Sequence, residues 1–93
     1  MVVGILTLEI YIPASLSLKD KRKVVKSVLE RVRKRFNVSA AETGYQEKWQ
    51  RAVLAVALVS EKKSFVESSL QKVFDFLDSE PGFDIITYNF DYC

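Results

Sequence analysis

The chain has 93 residues, with fourteen Lys and Arg against twelve Asp and Glu, no histidine and one cysteine. That length suits one domain, residues 1–93, and a hydrophobic share of 48% is enough for one core but not two. Without histidine the chain lacks the commonest general base and metal ligand. The lone Cys93 forms no internal disulfide or Cys/His zinc site, and three scattered glycines build no phosphate-binding loop.

The N-terminal run MVVGILTLEIYIPAS alternates like a strand and has no basic segment ahead of its apolar residues, so it is not read as a signal peptide. Val2–Ile12 is the first predicted strand. Val2, Leu6, Leu8, Ile10 and Ile12 share one face, and Val3, Ile5, Thr7, Glu9 and Tyr11 the other. Pro13 cannot donate to a ladder and ends it. No apolar run approaches the ~20 residues of a membrane span. A single cysteine suits a reducing compartment, so the expectation is a cytoplasmic protein without a membrane partner.

Ser17–Phe36 then carries nine basic and two acidic residues, a local charge of +7, whereas residues 60–93 carry three basic and seven acidic, or −4. Val24, Val25, Val28, Leu29, Val32 and Phe36 make one apolar stripe at helical period, and Ser17 with Asp20 resembles a capping box that starts the helix at Leu18. At about 100° per residue, Lys19, Arg22, Lys23, Lys26, Arg33 and Lys34 fall together on another face, interrupted by Glu30. Lys19, Lys21 and Arg22 crowd the first turn, where the helix dipole disfavours cations. With free N–H groups and the hydroxyls of Ser15 and Ser17 they would form an anion site. The competing reading of the basic face is simple solvation.

Asn37–Thr43 reads as a weak, polar edge strand, Gly44–Gln50 as a connection with two aromatics, and Arg51–Ser60 as a strand apolar on both faces and hence central. Ser60 is read as the cap of a second helix whose buried stripe is Phe65, Val66, Leu70, Val73, Phe74 and Leu77. Glu80-Pro81-Gly82 stops it, and Asp84–Tyr92 is the last strand, with Ile86, Tyr88, Phe90 and Tyr92 on one face and its three aromatics read as core and edge packing. The order β-α-β-β-α-β with right-handed crossovers gives an α+β, ferredoxin-like sandwich: a four-stranded antiparallel sheet with both helices on one face.

Such a sheet leaves one face open. It should show Val3, Ile5, Thr7, Glu9, Val53, Ala55, Ala57, Val59, Ile85 and Thr87. A contiguous apolar patch of this kind points to a homo-oligomer, a dimer foremost; the alternative is that these small side chains are tolerated in water. RNA readers of this fold stack bases on aromatics of their central strands. Here the third strand is aliphatic and the first offers only Tyr11, so any RNA contact is expected through phosphates and the basic helix. Trp49, beside Gln50 and Arg51, is read as closing one end of the core or a dimer contact, the alternative being a contact patch on an interaction loop.

The residues IPASLSLKDKRKVVKSVLERVRKRFNVSAAE, WQRA and LAVALVS carry a resemblance along essentially the whole chain. Pro13, Ser15, Ser17-Leu18-Lys19, Lys21-Arg22, Arg35-Phe36-Asn37-Val38-Ser39 and Trp49-Gln50-Arg51-Ala52 resemble the YlxP-like family of small bacterial proteins of unknown function. Glu47 departs from that family's usual Asp. The resemblance implies a ferredoxin-like fold, a gene often beside translation initiation and ribosome-binding factors, and no catalytic residues to carry over.

The leading expectation is therefore a binding protein without catalytic or metal site and without cofactor. It would contact RNA or a ribosomal particle through Lys19, Arg22, Lys23, Lys26, Arg33 and Lys34, with Lys21 near the helix start. The alternatives are a protein-interaction module that oligomerises through the sheet, and a small-anion binder or enzyme at Ser15–Arg22.

Overall fold

Alternating inward and outward residues make four strands, and two amphipathic segments make the helices that cover them. The computed structural model describes residues 1–93. Its elements are β1 (Val2–Tyr11), α1 (Leu18–Arg35), β2 (Ser39–Gly44), β3 (Arg51–Ser60), α2 (Lys63–Asp78) and β4 (Asp84–Tyr92). All pairings are antiparallel in the order β2-β3-β1-β4, so the two most apolar strands are central and the polar ones form the edges. The chain is a β-α-β-β-α-β, α+β fold of the ferredoxin-like arrangement.

The core lies between sheet and helices. Leu6, Leu8, Ile10 and Ile12 from the first strand and its exit meet Ala52, Leu54 and Val56 of β3. Above them lie Val25, Val28, Leu29 and Val32 of α1 and Val66, Leu70, Val73 and Leu77 of α2. An edge-to-face contact of Phe36 with Phe76 joins the end of α1 to α2, and the Arg35 guanidinium sits over both rings. On the other side Phe74 packs on Tyr88 and Phe90 of β4.

Four expectations change. Ser60 does not cap α2: the cap position is Lys62, and the Ser60 hydroxyl accepts from the Lys62 N–H in the turn just before it. Phe65 is 56% exposed, because the buried stripe is the narrower set Val66, Leu70, Val73 and Leu77. Trp49 does not close the core; it is 57% exposed. Ile85 leaves the open face because the β1–β4 register shifts between Glu9, opposite Thr87, and Ile10, opposite Ile85. The extra residue, Ile86, reverses the alternation, and Ile85 packs against the core.

Gly4 explains how closely α2 approaches the sheet. A Cβ there would lie 2.2 Å from Val66 Cγ1 and 2.8 Å from Leu70 Cδ1. Val66 is β-branched and fully buried, so it cannot swing aside. Gly4→Ala should therefore destabilise the fold by about 1–3 kcal/mol, read as a lower urea midpoint. An unchanged midpoint would mean that α2 shifts freely on the sheet.

Candidate nucleic-acid interface

The start of α1 is built as its sequence implies. Ser17 is the N-cap and its Oγ accepts from the Asp20 N–H at 3.1 Å. The Asp20 carboxylate reaches back to the Leu16 N–H at 3.0 Å, one residue before the cap. Ser15 is buried, and its hydroxyl donates to the Ser17 carbonyl. Both hydroxyls are thus engaged within the turn, and a carboxylate already occupies the positive end of the helix. The expected anion site at Ser15 and Ser17 is taken up by the protein itself.

Lys21 is also displaced from its expected place. It is 1% exposed, the largest fully buried side chain of the chain. Its Nζ donates to the carbonyls of Tyr45 (2.7 Å), Gln46 (3.1 Å) and Arg51 (3.3 Å), and Glu42 Oε2 lies 2.9 Å away. An ammonium has three N–H bonds, and the carbonyls take them. Glu42 Oε2 consequently receives no well-aimed hydrogen bond despite its proximity, and charge attraction holds the pair. The position was legible. Lys21 precedes Val25, Val28 and Val32 by four, seven and eleven residues, in the middle of the apolar stripe. Glu42 follows the inward-facing Ala40 by two residues in the edge strand, which puts it on the same covered face.

The remaining cations stay outside. Lys19, Arg22, Lys23, Lys26 and Lys34 are exposed, and none lies within 4.0 Å of a carboxylate; the ion pairs are Lys21–Glu42, Arg31–Glu80 and Arg51–Glu9. Arg33, exposed in the same row, donates to the Ala40 carbonyl of β2. It thereby marks the row as running beside the free edge of the sheet, whose unpaired backbone it helps to cover.

The expected interaction loop is held at the same end of the sheet. Gln50 Nε2 donates to the carbonyls of Pro13 (3.2 Å) and Ser15 (3.1 Å), while its own carbonyl accepts from the Ile12 N–H. Arg51 pairs with Glu9 on the open face at 3.0 Å. Tyr45 adopts φ 58°, the left-handed region, and its carbonyl accepts from both Lys21 Nζ and the Lys48 N–H. Tyr11, Tyr45, Lys48, Trp49, Gln50 and Arg51 line a cleft of about 340 Å³. Sequence reasoning missed this cleft, because its aromatics come from β1 and from a loop that only the tertiary fold brings together. No three His, Cys, Asp or Glu side chains converge on a point that could hold a metal ion.

Replacing Lys21 by Met keeps the stem's apolar packing but orphans Glu42 and three carbonyls. Lys21→Met should cost about 3–5 kcal/mol in chemical denaturation, the range for breaking a buried pair from one side. Faster amide exchange confined to residues 42–51 should accompany it. Stability equal to wild type would show that the buried charge contributes nothing.

Residues 3–90 match the family model described as "Protein of unknown function (DUF503)". Over 65 residues the chain is 49% identical to "Uncharacterized protein YlxP" of Bacillus subtilis (strain 168), covering 70% of this chain and 71% of that protein. The motifs gathered at this end of the sheet and along α1 thus lie in a chain that belongs to the DUF503 family, which includes the YlxP-like proteins.

Proposed function

We propose that this is a non-enzymatic cytoplasmic protein that binds RNA, or the RNA of a ribosomal particle, through the outward face of α1. The observation that carries this reading is the row of exposed cations, Lys19, Arg22, Lys23, Lys26 and Lys34, without carboxylate partners. The chain does not lack acids, since twelve Asp and Glu are present, yet none of them, Glu30 in the same row included, lies within 4.0 Å of these five cations. Five like charges on one helix repel each other, and phosphates of a polyanion relieve that repulsion while releasing counterions. The row is also extended rather than clustered at a point, which suits a strand better than a small anion. Arg33 stands exposed in the same row and gives one guanidinium nitrogen to the Ala40 carbonyl, leaving its other donors outward.

The test is co-sedimentation with protein-free ribosomal RNA over a salt series, comparing wild type with Lys19, Arg22, Lys26 and Lys34→Gln. Each phosphate contact adds about 0.7 to the slope of log affinity against log salt for single strands, so the four changes should flatten it by about 3. Equal slopes, or no binding at low salt, would remove the basic row as an RNA surface.

A second reading concerns the open sheet face. Val3, Ile5, Val53, Ala55 and Ala57 are only half-buried there, Val59 is exposed, and they oppose one another in pairs such as Val3–Val59 and Ile5–Ala57. A flat aliphatic patch without charge between these pairs best matches its own copy related by a two-fold axis. Light scattering at micromolar concentration should give twice the chain mass; a monomeric mass contradicts the pairing.

A further inference from the structure

We propose that the cleft walled by Tyr11, Tyr45 and Trp49 is a nucleotide site, taking one unpaired base between its rings and the attached phosphate on Lys48 and Arg51. The inference deepens the RNA reading and rests on it for the identity of the ligand.

Size comes first. About 340 Å³ lies at the lower end of the range of ligand clefts, roughly 300–1,000 Å³, and holds one nucleotide rather than a helix or a folded peptide.

The walls then specify the chemistry. Tyr45 is 41% and Trp49 57% exposed, large ring surfaces that folding has left in water. Of the other aromatic side chains, Phe36 pairs with Phe76 and Phe74 with Tyr88 and Phe90, whereas Phe65, Phe83 and Tyr92 stand apart from any second ring and from the cleft. None of the three cleft rings stacks on another ring, so their faces are free to receive a planar guest. Stacking of a base on an aromatic ring tolerates any sequence, because every base has a π-face. Beside the rings stand two cations. Arg51 is already paired with Glu9, while Lys48 has no carboxylate within 4.0 Å. Rings alone would suit any apolar guest, and cations alone any anion. Together they select a flat aromatic group carrying negative charge.

The backbone supplies an independent observation. Tyr45 is the one non-glycine residue at positive φ, a region that bulky side chains rarely adopt without strain. The strain persists because its carbonyl is gripped by the buried Lys21 ammonium at 2.7 Å and the Lys48 N–H at 2.9 Å. Lys21 is thus a positioning residue: it fixes the turn that carries one wall of the cleft, and it never touches the guest. The neighbouring first turns of α1 bring Lys19 and Arg22 to the same end of the molecule. A strand tracking the basic row could therefore deliver a splayed base to the cleft.

Trp49 is the only tryptophan, so its fluorescence reports the cleft directly. The experiment titrates each of the four ribonucleoside 5′-monophosphates, and separately a short single-stranded oligoribonucleotide, into the full chain. Wild type is compared with Tyr45→Ala, with Tyr11→Leu and with the four-Gln basic-row variant. Saturable quenching is expected, weakened about tenfold by either tyrosine change, the loss of one stacking partner. If Tyr45→Ala or Tyr11→Leu unfolds, the exposed Trp49→Ala, followed by calorimetry, serves instead and should lose binding to the same extent.

Quenching by mononucleotides that persists in the basic-row variant identifies a free nucleotide as the guest. Quenching by the oligonucleotide alone identifies one unit of an RNA strand. No saturable quenching by either, while wild type still co-sediments with RNA, overturns the cleft and leaves the basic row standing. Affinity unchanged by loss of Tyr45, Tyr11 or Trp49 overturns it as well.

Discussion

A buried ammonium is the constraint around which one end of this fold is arranged. Removing a charge from water costs several kcal/mol even after relaxation, and the cost is tolerable only where every N–H finds an acceptor and an opposite charge stands close. Lys21 meets both conditions with three carbonyls and Glu42. Those acceptors belong to β2, to the connection after it and to the first residue of β3, so one side chain of α1 fixes the relation of all three. A methionine there could match the packing but not the geometry, because only the Lys48 N–H would remain to hold the Tyr45 carbonyl in its left-handed turn. The charge contributes arrangement more than net stability.

From this arrangement follows a division among cations that look alike in the sequence. Helical rotation sends Lys21 inward and Lys19, Arg22, Lys23, Lys26 and Lys34 outward. The acids of the chain do not follow them: Glu42 serves Lys21, Glu80 serves Arg31 and Glu9 serves Arg51. The outward row is therefore left with an unbalanced field beside the edge of β2, where Arg33 covers a backbone carbonyl. The aromatic cleft lies at the end of that edge, around the loop Lys21 holds. Field and cleft are separate features joined by one buried side chain.

Much of the fold was legible because strand and helix periods are local. Arg51–Ser60 and Asp84–Tyr92 read directly as strands with the bounds observed, and the order of central and edge strands followed from which of them are apolar on both faces. What failed depended on residue type overruling position. Lys21 sits in the middle of the apolar stripe, yet its charge argued for the surface, and only its pairing with Glu42 across the fold reverses that. Ile85 was misplaced by a single-residue bulge that no period reveals, and Phe65 by lying about 100° from the buried row. The cleft was invisible for another reason: Tyr11 lies more than thirty residues before Tyr45 and Trp49, and a strained turn brings them together.

The proposed RNA surface is the outward face of α1 and the loop at its N-terminal end, not the aliphatic face of the sheet. Ultraviolet crosslinking of the chain to bound ribosomal RNA, with adducts mapped by mass spectrometry, tests this most directly. Adducts should fall on peptides carrying Lys19 to Lys34 and on the loop carrying Tyr45 and Trp49. Adducts confined to Val53–Val59 or to β4, with the helix and loop unmodified, would contradict it.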